Sequence, residues 1–188
     1  MTFQKAVPPD FSRIRDFYWR LIDAMDQATI GWKKGIYPTD EFLLESLGCG
    51  ELYTLSDGAM LCGCVILNCE SNEGYAGVPW TQELTPEEVL IPHALAVDPA
   101  IQGRGCGKAL VRGMIDLARS TGKKAVRLDI LSGNDAAERL YTRAGFQFVQ
   151  AKPMFYEDTG WTEYKMFERS PRGSTYRAGT KTQTIPPA

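Results

Sequence analysis

Hydrophobic and polar residues along the chain follow two periods, and each period predicts a different kind of element. Apolar residues spaced three and four apart predict amphipathic helices, because that spacing places them on one helix face. Alternating apolar residues predict strands with one buried face. Helices are predicted over residues 9–28, 39–47, 107–120 and 134–144. Strands are predicted over residues 51–55, 59–68, 90–98, 124–131, 146–151 and 164–168.

The order of these elements indicates a mixed α/β sheet with antiparallel strands at its start and end. Residues 56–58 contain an Asp-Gly pair between the first two strands, which is a strong hairpin signal. Residues 69–88 lack a clear period and contain glycine and proline, so a long irregular loop is predicted there, of a kind that often carries function. One domain is expected over residues 1–169, followed by a polar tail over 170–188 with a composition typical of disorder.

The composition narrows the class of protein. The chain has 188 residues, of which 44% are hydrophobic, enough for one domain with a buried core. A net charge of −2 shows no basic excess, so no nucleic-acid partner is expected. No apolar run approaches the roughly 20 residues that cross a bilayer, and no secretory signal is recognisable, so a cytoplasmic protein without a membrane partner is predicted. Cys62 and Cys64 alone do not make a metal site, so no metal is expected.

A predicted strand that continues into a glycine-rich loop and then a helix forms the strongest candidate site. The loop has the sequence Gln102-Gly103-Arg104-Gly105-Cys106-Gly107 and precedes Lys108. The first amides of a helix have no internal acceptor, and the helix dipole favours negative charge there. Glycine also lets the backbone approach a phosphate without a side-chain clash. The pattern therefore predicts a phosphate or pyrophosphate site.

The spacing in this loop excludes two common nucleotide motifs. A P-loop would need glycine at position 102 and Ser or Thr at position 109, where the chain has Gln102 and Ala109. A dinucleotide fingerprint would need glycine at position 108, which is Lys108. A glycine-rich turn without any ligand is the remaining alternative.

The loop and its surroundings resemble the GCN5-related N-acetyltransferase (GNAT) family. Residues 102–107 match the family's Gln/Arg-x-x-Gly-x-Gly/Ala signature, and Leu95-Ala96-Val97-Asp98-Pro99 precede it. Downstream, residues 134–141 followed by Gly145-Phe146 resemble the second characteristic block of the family. The resemblance covers about residues 3–169. It implies the GNAT fold, a mixed central sheet with antiparallel N-terminal strands and a splayed parallel pair, flanked by helices.

The resemblance implies an acetyl-CoA-dependent N-acetyltransferase with a coenzyme A site. Strand backbone before the loop would bind the pantetheine arm, the loop amides would hold the pyrophosphate, and Asn134 would hydrogen-bond the arm, cap its own helix, or do both. The implied cofactor-binding residues are Leu95, Ala96, Val97, Gln102, Gly103, Arg104, Gly105, Cys106, Gly107, Lys108, Asn134 and Tyr141. Dimers are common in the family, so a homodimer is one expectation.

The resemblance also implies an acid and a base for the attack of an amine on the thioester. Tyr141 matches the family tyrosine near the coenzyme sulfur and is the expected acid, with helix packing as its alternative role. His93 is the only histidine, and it is predicted on the same strand face as Leu95 and Val97 if alternation holds. It is the expected base or proton relay, and simple packing is its alternative role. The alternative bases are carboxylates of the long loop, Glu73, Glu83 and Glu87.

The acceptor is expected to be a primary amine of a small molecule. Four aromatic residues in or near the loops are candidates either for an acceptor pocket or for packing beneath the loops: Trp32, Tyr37, Trp80 and Trp161. The pI of about 5.5 slightly favours a cationic acceptor. The alternatives are a protein or peptide N-acetyltransferase and a non-catalytic acyl-CoA-binding sensor.

Overall fold

A computed structural model describes residues 1–24, 31–101 and 103–172. Within these residues the helices are α1 (Phe11–Ala24), α2 (Asp40–Gly48), α3 (Cys106–Ser120) and α4 (Asp135–Arg143). The strands are β1 (Thr2–Lys5), β2 (Leu52–Asp57), β3 (Met60–Asn68), β4 (Val89–Val97), β5 (Ala125–Leu131), β6 (Gln147–Tyr156) and β7 (Gly160–Arg169). The predictions for Gln102, for residues 25–28 and for tail residues 173–188 lie outside the described residues.

The strands of the described residues form one sheet in the order β1-β2-β3-β4-β5-β7-β6. All neighbours in it are antiparallel except β4 and β5, which run parallel. The predicted mixed α/β fold is therefore confirmed. The strand β1 was not predicted, because four residues are too few to show a period. Among the described helices, none is long and apolar enough to span a bilayer.

The strand β4 carries a bulge at its centre. Cys64 of β3 pairs with Ala96 and Ile66 pairs with His93, so two β4 residues stand opposite the single residue Val65. Ala94 adopts a φ of +48°, which is rare for a residue with a side chain. The buried hydroxyl of Tyr18 donates a hydrogen bond of 2.6 Å to the Ala94 carbonyl and holds this conformation. Because of the extra residue, β4 side chains that simple alternation would place on one face of the sheet lie on opposite faces before and after the bulge.

Helices cover both faces of the sheet. On one face α3 and α4 enclose a core that includes Leu110 and Leu128. On the other face α1 and α2 pack through Ile14 and Leu43. A third cluster joins residues of the long loop to β6 and β7. A polar side chain on either face of the central strands is therefore surrounded by protein. It needs a hydrogen-bond partner from the protein or from a ligand.

Gly63 of β3 marks a position where α3 and β4 approach closely. A Cβ at Gly63 would lie 2.5 Å from the Ala96 carbonyl oxygen and 2.6 Å from Cδ1 of Leu110. Gly63→Ala should therefore lower the free energy of unfolding by about 1–3 kcal/mol, as overpacked cores do. Gly48→Ala is the control, since a Cβ there meets nothing within 4 Å. Urea unfolding followed by circular dichroism measures both variants, and equal effects would contradict the close packing.

Candidate active site

A cavity of about 1170 Å³ lies between β4 and β5. These strands pair only at Val89 with Ala125 and at Leu90 with Val126, so beyond that point they separate. The wall includes the start of α3 on one side of the sheet and Trp32 on the other. The gap between the strands therefore joins the two faces of the sheet into one cavity.

The glycine-rich loop delivers free amides to one end of this cavity. Gly103 and Gly105 have φ values of +84° and +83°, in the left-handed region that glycine tolerates. Gly105 caps α3 without a side-chain hydrogen bond. The amides of residues 106–108 donate to no other described residue, and they point out of the helix start. This end of the cavity is therefore built for an anion.

The backbone of β4 is also available along the gap. The Asp98 amide donates to the Cys62 carbonyl of β3 at 3.0 Å. Successive amides of a strand point to opposite sides, so the Val97 amide points toward β5. No described strand pairs with this edge of β4 beyond Leu90. An extended ligand can therefore lie here and bond to the strand.

The helix α4 supplies two polar groups to the wall. Asn134 caps α4, because its Oδ1 accepts a hydrogen bond of 3.1 Å from the Ala137 amide. Tyr141 is buried against Phe146, with ring centroids 5.4 Å apart. Its hydroxyl has no hydrogen bond to another described residue, and burial raises the pKa of Tyr141. Tyr141 therefore keeps its proton at neutral pH.

His93 lies on the wall, but the predicted face is wrong. The bulge puts His93 on the face of Ala96 and Ile66 rather than on the face of Leu95 and Val97. There its ring makes an edge contact with Phe42, at a centroid distance of 6.3 Å.

The hydrogen bonds around His93 define its tautomer. Its Nε2 lies 2.8 Å from Asn68 Oδ1, which also accepts from the Glu70 amide, while Asn68 Nδ2 donates to Glu51. Nε2 must therefore carry the proton. Burial lowers the pKa of His93 to about 4, so the ring is neutral at pH 7.

Asp129 of β5 is a wall residue that the sequence did not single out. Its Oδ1 accepts hydrogen bonds from the hydroxyls of Tyr75 at 2.8 Å and Tyr156 at 3.0 Å. Burial raises the pKa of Asp129 above its usual range. The sequence does show an aspartate among the alternating apolar residues of this strand. In a sheet with only one buried face, however, such a residue would face solvent and would indicate no site.

Comparison with known proteins agrees with this geometry. Residues 62–146 match the Acetyltransferase (GNAT) family. This match assigns residues 62–146 to the GNAT family.

Two curated GNAT relatives act on different acceptors. N-alpha-acetyltransferase RimI of Mycobacterium tuberculosis is 40% identical over 93 residues, which cover 50% of this chain and 56% of RimI. The L-methionine sulfoximine/L-methionine sulfone acetyltransferase of Salmonella typhimurium is 32% identical over 100 residues, covering 52% of this chain and 58% of that protein. The chain thus spans little more than half the length of these two relatives.

A solved structure shares the GNAT fold over nearly the whole chain. A Salmonella typhimurium structure that contains its cofactor acetyl-CoA aligns with a TM-score of 0.68 at 20% identity. The alignment covers 95% of this chain and 98% of that one. At this identity the likeness shows the fold alone.

The structure brings most of the predicted GNAT site residues to one cavity. The wall contains His93, Leu95, Ala96, Val97, Gly103, Gly105, Cys106, Gly107, Lys108, Asn134 and Tyr141. Arg104 belongs to the loop but not to the wall. Of the aromatic candidates, Trp32 and Tyr37 lie on the wall and Trp80 and Trp161 do not. The loop carboxylates Glu73, Glu83 and Glu87 are likewise absent from it.

Proposed function

We propose that this protein transfers an acetyl group from acetyl-CoA to a primary amine of a small molecule. One observation carries the proposal: a single cavity joins the free amides of α3 to an aromatic compartment across the gap between β4 and β5. A two-substrate transfer needs this arrangement, because donor and acceptor must meet while each keeps its own binding surface.

The donor end fits a coenzyme with phosphates and an extended arm. The amides of residues 106–108 and the side chain of Lys108 would hold the pyrophosphate. The free edge of β4 at Leu95 and Val97 would pair with the pantetheine arm, and Asn134 would add a hydrogen bond from α4. Because Asn134 Oδ1 already caps the helix, its Nδ2 group is the part left for the arm.

Each step of the proposed acetyl transfer has a candidate group near the gap between β4 and β5. A neutral amine attacks the thioester carbonyl carbon, the C–N bond forms, and the C–S bond breaks with its electrons going to sulfur. The Val97 amide would donate to the carbonyl oxygen as negative charge develops there. Tyr141 would protonate the leaving thiolate. His93 is on the wall but has a low pKa, which suits a neutral relay better than the first proton acceptor.

A strained loop should weaken donor binding. Gly105→Val forces a β-branched residue into a φ of +83°, which costs at least about 1–2 kcal/mol and misdirects the first amides of α3. The affinity for acetyl-CoA, measured by isothermal titration calorimetry, should fall about 10-fold or more. Gly122→Val is the matched control, with a φ of +74° at the far end of α3. It should lose stability but not affinity, and equal affinity of the two variants would contradict the assigned site.

A release assay over a panel of amines tests the reaction itself. Free coenzyme A, detected with a thiol reagent, should appear only when acetyl-CoA and a small primary amine are both present. Turnover only on peptides with a free N-terminus would favour the protein acetyltransferase, which the RimI relative makes the second candidate. Binding of acetyl-CoA without turnover on any amine would favour the sensor and overturn the proposal.

A further inference from the structure

The two oxygens of the Asp129 carboxylate differ in their hydrogen bonds to other described residues. Oδ1 accepts from the hydroxyls of Tyr75 and Tyr156, which come from the long loop and from β6. Oδ2 has no hydrogen bond to another described residue, and Asp129 forms part of the cavity wall. The two phenols hold the carboxylate in a fixed orientation while leaving Oδ2 as a hydrogen-bond acceptor.

Most of the acidic side chains on the cavity wall lie at a different end from the basic ones. The basic side chains come from α3, α4 and the end of β7: Lys108, Arg112, Arg119, Arg139, Arg143 and Arg169. The opposite end carries the carboxylates Asp129 and Asp158, while the third wall carboxylate, Asp116, pairs with Arg112 and Arg119. An anionic donor and a cationic acceptor would therefore be drawn to opposite ends.

Aromatic rings surround the acidic end. Trp32 and Tyr37 are in edge contact at 5.9 Å, and Tyr156 and Tyr164 lie 4.8 Å apart, all four on the wall. Ring faces attract a cation and also bury an apolar body. No basic side chain of the described wall belongs to this end, where Lys33 acts on Asp158 from outside the wall, so an anionic group next to the amine would meet carboxylates and rings rather than a cation.

We propose that Asp129 binds the ammonium group of the acceptor and takes its proton, and that the acceptor is a primary amine with an apolar or aromatic body and no anionic group beside the amine. This rests on the proposed acetyl transfer and names the substrate class for it. Asp129 is then a catalytic residue, and Tyr75 and Tyr156 are positioning residues.

The proton balance of the step is complete. The ammonium gives one proton to Asp129 Oδ2, and the neutral nitrogen attacks the thioester carbonyl. The C–N bond forms and the C–S bond breaks, Tyr141 gives its proton to the leaving sulfur, and the second proton that the nitrogen loses restores the Tyr141 hydroxyl. Asp129 returns its proton to solvent when the products leave.

The surroundings of Asp129 favour this exchange. Alkyl amines have a pKa of about 10, so the acceptor arrives protonated at neutral pH. Burial raises the pKa of Asp129, which makes the carboxylate a stronger base than an exposed aspartate. The other titratable groups near it are the tyrosines 37, 75, 141, 156 and 164, with His93 and Asp158 on the same wall. Each of these tyrosines has a raised pKa and stays neutral, so none competes for the proton.

Asp129→Asn is the central test, because it keeps the shape and the acceptor oxygen for both tyrosines while removing charge and basicity. The kcat/KM for an amine should fall about 100-fold or more, while calorimetry should show unchanged acetyl-CoA affinity. Asp57→Asn makes the same change at an exposed turn and should leave both values unchanged. A kcat/KM within about threefold of wild type, with the same pH profile, would overturn the role of Asp129.

The melting temperature checks that the variant is folded. A buried carboxylate with a raised pKa destabilises the folded state at pH values above its unfolded pKa, which include pH 7, and this cost disappears as pH falls below that value. Asp129→Asn should therefore melt at the same or a higher temperature than wild type at pH 7. If it fails to fold, Tyr156→Phe is the second variant. Loss of one donor raises the Asp129 pKa further, so the acidic limb of the kcat/KM profile should move to higher pH.

Three matched acceptors test the substrate class. 2-Phenylethylamine, phenylalaninamide and phenylalanine share one ring and one amine and differ in carrying no group, a neutral amide or a carboxylate beside the amine. The carboxylate should lower kcat/KM about 10-fold or more relative to the amide, and a preference for phenylalanine would overturn the class. If wild type binds acetyl-CoA but acetylates no amine, the proposed function itself fails. If it acetylates amines equally well without Asp129, only this inference fails.

Discussion

Replacing Glu168 with alanine should lower the free energy of unfolding by about 3–5 kcal/mol. Glu168 and Arg127 are buried at 5% and 8% side-chain exposure, and Arg127 Nε lies 2.9 Å from Glu168 Oε1. Glu168 Oε2 also accepts hydrogen bonds from the amide and hydroxyl of Thr81 in the long loop. The alanine leaves the Arg127 guanidinium buried with no carboxylate, which costs more than the pair contributes.

Urea unfolding measures the loss, and the double variant Arg127→Met with Glu168→Leu is its control. Removing both charges avoids the unpaired guanidinium, so the double variant should recover most of the stability that Glu168→Ala loses. A loss below about 1 kcal/mol in Glu168→Ala would contradict the buried pair. So would a double variant less stable than the single one.

The Glu168 contacts also matter for the site. They tie the long loop to β5 and β7, and the same loop carries Tyr75, which donates a hydrogen bond to Asp129 two residues along β5 from Arg127. Arg127 adds a bond of 2.6 Å to the Gln82 carbonyl and stacks on Trp80 at 4.6 Å. The long loop is thus fixed against β5 and β7 and supports Asp129 from outside the cavity wall, and Trp80 packs against Arg127 there.

Tyr141→Phe should lower kcat by about 10²–10⁴-fold, the range for a positioned acid or base. The hydroxyl is the only atom group removed, and it has no hydrogen bond to another described residue, so the fold should lose little. The loss should appear in kcat rather than in acetyl-CoA affinity, because the proton is needed only as the thiolate leaves.

The matched control is Tyr53→Phe, which removes a hydroxyl from a ring stacked on Phe3 away from the cavity. It should leave kcat unchanged. Steady-state rates over a pH range compare the variants, and an unchanged kcat for Tyr141→Phe across that range would remove Tyr141 from the mechanism. Its role would then be the packing contact with Phe146.

Most regular elements could be predicted from local patterns. The helix α3 was recognisable because its apolar stripe and its glycine ends are set by residues close in sequence. The hairpin of β6 and β7 is longer than predicted. The added residues of the two strands pair with each other rather than with the core, and their exposed faces mix aromatic and polar residues, so no clear alternation marks them. Strand β1 depends on pairing with β2, which no local pattern reveals.

The site divides in the same way. Residues 102–108 could be predicted as an anion site because such a site at a helix start depends on local backbone conformation, which glycine spacing records. The face of the sheet on which His93 lies could not be predicted, because the bulge at Ala94 depends on Tyr18, a residue far away in the chain. Asp129 was missed for a related reason. Only the loop that covers β5 and the tyrosines 75 and 156 turn an isolated aspartate into an oriented carboxylate.

The sequence by itself determined the sheet type and the resemblance to the GNAT family, and it predicted the loop that we propose as the donor end of the cavity. Each of these depends on spacings within about 50 residues that constrain the local backbone. Only the tertiary structure decided the proposed acceptor end, because its wall is made by side chains from the segment between α1 and α2, from β4 and β5, and from the last hairpin. The charges and rings there come together through long-range packing, and no single segment of the chain contains them.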